Sequence, residues 1–544
     1  MSSAYEDKKN YYQQAYLTAA SGGRAGRQEE IRTTPLFSLA VNHHIDYPDD
    51  EVSTSSESDS TSEPAHVSGS SESASVTEEA SSASSKHSST ASSHPLSPHS
   101  TSPTASSADH KDVLPQYGLL GFHVGDTESI GEKEPIMLNV NAPNSVFICG
   151  SQGSGKSYTL STMLENCLMH DDTVGSIAQP VAGVVFHYDV DSSSIAEVAH
   201  LCSRGIEVNV LVSQSNEHAL RKAYERIGSE NNKPKVRPLL LRSSDLSVDR
   251  MNKLMALAEK EGPPPLYMEI IQRILRRMAI ETTTTASNNG FDYKRFRSLL
   301  DKEVLSREQL APMNLRFSLL ESFMHPGDLP PRPMETWRPK PKKNHKLFDL
   351  KPGSLTIVDL SDTFLDAATA CLLFDICLGL VKSQRPTSGL IIALDEAHKF
   401  MNDSSGAKNF TGGLLTTIRE QRHNATRVVI ATQEPTISTD LLDLCSVSVV
   451  HRFTSPAWFA AIRGHLGGAS RMLRDGEESG ELFERIVELD VGESLVFCPG
   501  AFVKVVTDED GENKKVGKLG PNAMKMKTRK RMGNDGGVSI LASG

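Results

Sequence analysis

At 544 residues the chain exceeds a typical single domain, and it carries a formal net charge of −11 with 38% hydrophobic residues. That acidic balance argues against a chain coated with positive charge for nucleic acid, although the charge is unevenly spread. No apolar run reaches the roughly 18 residues a spanning helix needs, and the seven cysteines form no Cys-x-x-Cys pair, so buried free thiols in a reducing compartment are expected rather than disulfides or zinc.

The first 112 residues read as a disordered tail. Serine dominates 53–107, with Thr, Glu, His and Pro and almost no large apolar side chain, so burial cannot offset the entropy of ordering. Residues 1–22 are polar and lack the apolar core of a signal peptide. One apolar island, residues 34–41, reads equally as a docking segment or as nothing. A tail of this kind offers attachment points for protein partners.

A single domain is expected over 113–507. Short strands at 117–125 and 135–140 lead into the apolar run 145–149. Directly after it stands Gly150-Ser151-Gln152-Gly153-Ser154-Gly155-Lys156-Ser157, which is G-x-x-x-x-G-K-[ST], the phosphate-binding loop of P-loop NTPases. Leu160, Met163, Leu164, Cys167 and Leu168 then share one face of a helix, so the loop has the strand-before, helix-after setting that the motif requires. The glycines let backbone N–H groups converge on phosphate oxygens, and the helix N-terminus adds positive partial charge. Lys156 is expected to reach the outer phosphates and the Ser157 hydroxyl to hold Mg²⁺. Tyr158 completes the nucleotide-binding stretch, for which ATP with Mg²⁺ is the expected cofactor pair.

Beyond the loop, strands at 181–189, 208–212 and 239–241 alternate with a helix at 195–202. This alternation predicts an α/β fold of the P-loop NTPase, RecA-like kind with a mainly parallel sheet. Residues 246–345 change character. Helical periodicity at 248–261, 267–281, 291–300 and 310–324 ends in a Pro- and Lys-rich loop at 326–343, which reads as a helical insertion within one NTPase domain, with a separate helical domain as the alternative. The sheet resumes at 354–360, and helix 364–382 leads to the apolar run 390–394 and Asp395-Glu396-Ala397-His398. A strand that delivers adjacent carboxylates to the C-terminal edge of an α/β sheet is the second NTPase signature. Asp395 is expected to hold Mg²⁺ through water, and Glu396 to orient or deprotonate the attacking water. Asp-Glu-Ala-His also spells a superfamily-2 helicase box, but the Ser-Ala-Thr motif of those enzymes is missing and the Lys156-to-Asp395 separation is too long.

Helix 412–422, strand 427–433, helix 438–445 and strand 447–453 follow, and the fold is expected to close at 493–498 and 501–506. Residues 508–544 read as a basic flexible tail. In it, Lys525-Met526-Lys527-Thr528-Arg529-Lys530-Arg531 reads as a nuclear address, a nucleic-acid contact or a solvated cluster.

Three features follow the Asp-Glu pair in order: Arg419-Glu420-Gln421-Arg422, then Ala431-Thr432-Gln433-Glu434-Pro435, then the leucine-rich Leu441-Leu442-Asp443-Leu444. Their order and spacing resemble the HerA/FtsK superfamily of P-loop ATPases, most closely its HerA-like branch, over about 135–506. The resemblance implies a ring-shaped, usually hexameric motor that translocates double-stranded DNA. It also implies that Gln433 senses the γ-phosphate or water, and that Arg422, or else Arg419, acts on the neighbouring subunit's nucleotide. There are departures. Tyr188-Asp189-Val190-Asp191 stands where HerA-like proteins carry D-P-x-G-E, and neither an N-terminal barrel nor a nuclease constellation is evident. The competing reading is a P-loop ATPase that acts on protein as a remodelling or signalling scaffold. The acidic charge and the lack of an aromatic-plus-basic single-strand platform favour that reading. Either way the expected residence is intracellular, nuclear or cytoplasmic, with no membrane partner.

Overall fold

The computed structural model describes residues 23–46, 113–125, 130–191, 193–228, 232–255, 266–284, 291–330, 346–435, 437–466, 476–507 and 514–534. Their strands are, in chain order, β1 (Leu36–Ser38), β2 (Tyr117–His123), β3 (Pro135–Asn139), β4 (Ser145–Cys149), β5 (Gly175–Ser176), β6 (Ala182–His187), β7 (Glu207–Val212) and β8 (Lys235–Pro238). There follow β9 (Ser354–Asp359), β10 (Leu390–Leu394), β11 (Thr426–Thr432), β12 (Val447–His451), β13 (Glu493–Phe497), β14 (Phe502–Thr507), β15 (Lys514–Lys518) and β16 (Ala523–Thr528). All belong to one sheet ordered β15-β14-β1-β3-β2-β16-β13-β12-β4-β11-β10-β6-β9-β7-β8, with β5 beside β2. From β12 to β8 every pairing is parallel. The other half is mostly antiparallel. The α/β class expected from the alternation of elements is the class observed.

The central strands are buried on both faces, so their middles read as continuous apolar runs, 146–149, 390–394 and 428–431. Alternate side chains serve two separate cores. Phe147 and Cys149 of β4, with Leu390, Ile392 and Leu394 of β10, face one core. Val146 and Ile148, with Ile391 and Ala393, face the other. On the first face pack the helices Ala367–Ser383 and Ser405–Arg419, and the helices inserted between β8 and β9. Phe186, Phe374 and Phe410 close ring to ring there, with centroids 5.1 to 5.8 Å apart. On the second face lies the helix Lys156–Leu168 that follows the phosphate loop.

Both ends correct the sequence reading. Residues 23–46 form the helix Gly23–Arg32, β1 and the helix Leu39–Asp46. The apolar island is therefore a strand of the protein's own sheet. Phe37 sits opposite Met137 of β3 and Phe502 of β14, fully buried, with its ring edge-on to Tyr117 at 5.5 Å. Two strand edges that would otherwise lie open are thereby joined. The Ser-rich stretch itself lies outside the described residues.

At the other end, the expected flexible tail supplies β15 and β16. Met524, Met526 and Thr528 of β16 turn inward, while Lys525 and Lys527 are only half-buried. Period-two alternation of this kind is strand patterning, here hidden by the lysines between the buried positions. Arg529, the next residue, is buried as well. The ordered domain accordingly extends well past 507. Smaller corrections concern 195–202, which is the 3₁₀ turn Glu197–Arg204, and 239–241, which follows β8 and touches Met324 through a single bridge at Leu241.

Candidate active site

β4, β11 and β10 lie side by side and in parallel, with Cys149 opposite Thr432 and Ile430 opposite Leu394. This register brings the phosphate loop, Gln433 and the Asp395-Glu396 pair to one C-terminal edge of the sheet, where ligands bind in open α/β folds. The loop needs its glycines at two positions in particular. Gly150 has φ 153°, and a Cβ there would lie 2.7 Å from both His451 Cβ and Ser154 Oγ. Gly155 has φ 111° and packs against Gly492, whose N–H donates to the Ser154 carbonyl at 3.0 Å. Ser151 N–H donates to the Arg452 carbonyl, which ties the loop to the end of β12.

Lys156 is buried, and its Nζ donates to the Ser151 carbonyl across the loop at 3.0 Å. The loop's own oxygen accepts the hydrogen bond that a phosphate oxygen would accept. Burial lowers the Lys156 pKa, and the carboxylates of Glu396 and Asp395 oppose that shift. Asp395 is itself pushed up to about 6 by burial, with Glu396 adding to the effect and His187 and Lys156 counteracting it. The two groups therefore lie in one dry compartment, which magnifies their interaction.

Glu396 adopts φ 51°, left-handed backbone that a residue with a side chain rarely takes. Gln433 Nε2 donates to Glu396 Oε1 at 2.9 Å. The other oxygen, Oε2, has no hydrogen-bond partner and lies 3.4 Å from His398 Nδ1. Backbone strain and an unsatisfied carboxylate oxygen coincide at the residue expected to act on water, a pattern that marks functional sites. His398 and Glu434, together with Lys408 and Asp440, line a cavity of about 680 Å³.

The donor set suits Mg²⁺. A hydroxyl at Ser157 and a single carboxylate at Asp395 are hard oxygen ligands, and Mg²⁺ is commonly held by one or two carboxylates plus substrate phosphates. No cluster of three or more His, Cys, Asp or Glu that would make an all-protein metal cage occurs among the described residues.

Three expected residues lie elsewhere. The Tyr158 hydroxyl accepts from Arg531 N–H at 2.6 Å, and the Arg531 guanidinium lies 4.9 Å from the Tyr158 ring centre. Its side chain therefore supports the loop helix from the C-terminal segment instead of facing the phosphate loop. Arg422 and Arg419 are exposed at the opposite end of β11 from Gln433. Seven strand residues separate those ends, roughly 20 Å at the usual rise. The helix expected at 412–422 runs instead over Ser405–Arg419, so Arg422 stands in the turn beyond it. Neither arginine serves the site of its own chain.

Sequence reasoning missed the layer beneath the loop. His451 Nδ1 bonds the Glu493 carbonyl at 2.8 Å and must donate to it, so Nε2 accepts from Thr159 Oγ1 at 3.0 Å. Thr528 Oγ1 then donates to Thr159 Oγ1 at 3.0 Å. Burial lowers His451 to about 4 and keeps it neutral. One residue on, Arg529 binds the far side of the loop helix. Its guanidinium donates to Glu165 Oε2 at 2.8 Å, to Asn166 Oδ1 at 2.9 Å and to the Leu119 carbonyl at 2.7 Å. Met532 and Gly533 N–H both donate to Glu165 Oε1 at 2.8 Å. Arg531 pairs with Glu197 at 2.7 Å. The available signal was a polar residue at the end of a strand: His451 closes β12 and Thr528 closes β16.

No protein-family model and no curated protein matches the chain, but solved structures do. VirB4 of Thermoanaerobacter pseudethanolicus is similar at 10% identity over 77% of this chain and 97% of its own, with a TM-score of 0.46. The genome packaging NTPase B204 of Sulfolobus turreted icosahedral virus 2, in complex with AMPPCP, is similar at 9% identity over 69% of this chain and 97% of its own, with a TM-score of 0.25. EssC (ATPases 2 and 3) of Geobacillus thermodenitrificans is similar at 12% identity over 80% of this chain and 47% of its own, with a TM-score of 0.27. At these identities the likeness concerns fold alone. On the sheet the motifs stand in the order phosphate loop, Ala431-Thr432-Gln433, Asp395-Glu396, because β11 lies between β4 and β10.

Proposed function

We propose that the chain binds Mg²⁺·ATP and hydrolyses it as a subunit of a ring-forming, HerA-like DNA translocase. The observation that carries the ATPase reading is the convergence of Lys156, Asp395, Glu396 and Gln433 at one edge of β4, β11 and β10. In this reading the backbone N–H groups of 150–157 cradle the phosphates, and Lys156 exchanges its bond to the Ser151 carbonyl for one to a phosphate oxygen. Ser157 and Asp395 hold the metal, which when bound neutralises charge on the β- and γ-phosphates. Glu396 takes the proton of the attacking water and Gln433 holds that water in line. Arg422, remote from its own chain's loop, reaches the nucleotide of a neighbouring subunit. That requirement motivates the ring, with a hexamer as the expected assembly.

One observation favours the second reading, an ATPase that remodels protein. The basic cluster 525–531 is the most evident nucleic-acid contact in the sequence, yet Arg529 and Arg531 are committed to Glu165 and Glu197 inside the domain. The discriminating experiment is steady-state ATP hydrolysis by the full chain with and without double-stranded DNA, at low and moderate salt. A DNA motor is stimulated, and the stimulation fades with salt as phosphate contacts are screened. Hydrolysis indifferent to DNA refutes the motor and leaves the protein-acting ATPase. No hydrolysis at all refutes both.

A further inference from the structure

His187 ends β6 and is 3% exposed, and neither of its ring nitrogens has a hydrogen-bond partner. Buried polar side chains nearly always find partners, so a stranded imidazole calls for a reason. The preceding residues of β6 are apolar or glycine, and the next residue, Tyr188, is satisfied through its hydroxyl at the Leu365 carbonyl, 2.8 Å away. The acidic group paired with His187 is Asp395, whose Oδ2 lies 4.0 Å from Nδ1 and which is equally buried. The backbone on both sides is fixed. Asp395 N–H donates to the Phe186 carbonyl at 3.1 Å, and the His187 carbonyl accepts from Leu360 N–H at 3.0 Å. Only side-chain rotation is needed to close 4.0 Å to a hydrogen bond.

We propose that His187 is the positioning residue of Asp395. Its Nδ1–H donates to Oδ2 when the site is loaded, which leaves Oδ1 as the oxygen presented to the metal's hydration shell. A carboxylate that serves a metal with one oxygen is commonly held by its second oxygen, and loss of such an outer partner typically costs 10- to 100-fold in metal affinity. The inference rests on reading Asp395 as the Mg²⁺ carboxylate. It assigns a task to a residue that no nucleotide motif includes.

The test uses the full chain with a fluorescent ATP analogue. Affinity is measured in excess EDTA and then across a Mg²⁺ titration, for the wild type, His187→Leu and His187→Asn. His187→Leu is expected to raise the Mg²⁺ midpoint by about 10- to 100-fold while the affinity in EDTA stays unchanged. His187→Asn, whose Nδ2 stands close to the ring Nδ1–H, is expected to restore most of the loss. Should the leucine variant fail to fold, His187→Gln replaces it. Its amide reaches the Nε2 position instead, so it is expected to show the shift that Asn does not. An unchanged Mg²⁺ midpoint, or equal losses with and without Mg²⁺, overturns the proposal. A wild type that binds the analogue no better with Mg²⁺ than in EDTA overturns the Asp395 assignment itself, and the inference with it.

Discussion

Replacing Arg529 by Met removes the guanidinium that bolts the C-terminal segment to Glu165 and Asn166 of the phosphate-loop helix. In the wild type this group makes four hydrogen bonds, to the Leu119 carbonyl, Glu165 Oε2, Asn166 Oδ1 and the Lys530 carbonyl, at 2.7 to 2.9 Å. Glu165 has no exposure and Arg529 only 5%. Truncation therefore leaves a buried carboxylate with two backbone donors, Met532 and Gly533 N–H, in place of a countercharge. Breaking a buried pair by removing one partner costs about 3–5 kcal/mol. Against a typical total of roughly 5–15 kcal/mol that loss is severe. The expected outcome is a fall of this size in urea unfolding of the full chain, together with weakened nucleotide binding, because Thr528 next to Arg529 is hydrogen-bonded to Thr159 on the first turns of the loop helix. Adding Glu165→Gln to Arg529→Met is expected to recover part of the loss, since the stranded charge is gone. A loss below about 1 kcal/mol, the range of exposed ion pairs, would refute the claim that this segment is part of the folded nucleotide site.

Glu396→Gln is expected to retain ATP binding and to slow hydrolysis by about 100-fold or more, the usual worth of a general base. Single-turnover hydrolysis at the wild-type rate would remove Glu396 from the mechanism. Arg422→Ala is expected to cut multiple-turnover hydrolysis by about 10³-fold or more, as for arginines acting in trans, without changing the affinity of dilute subunits for ATP. Unchanged turnover would end the trans assignment. His451 supplies a pH dependence. Its unfolded imidazole takes a proton near 6.5, whereas the folded one resists until about 4. Between those values the unfolded state holds more protons, so stability is full above about 6.5 and falls as the pH drops toward 4. His451→Asn is expected to flatten that part of a urea-midpoint-against-pH curve, and a curve identical to wild type would refute the assignment.

Local chemistry made the candidate catalytic edge legible. A glycine-rich loop between an apolar strand and an amphipathic helix, and two carboxylates at the end of another apolar run, are patterns confined to a few neighbouring residues. Period and spacing suffice to find them, and the α/β class follows from the same alternation. What the sequence could not yield were partnerships between distant residues. Phe37 is a strand residue only because β3 and β14 leave edges beside it. Arg529 looks like part of a soluble basic run until Glu165, on the buried side of the loop helix, accepts its charge. His187 and His451 look unremarkable at the ends of strands, and only the sheet order sets one beside Asp395 and the other under Thr159. The physical reason is the same in each case. A backbone pattern is fixed by short-range sterics and burial, whereas a buried charge or imidazole is defined by whichever group the tertiary fold places against it.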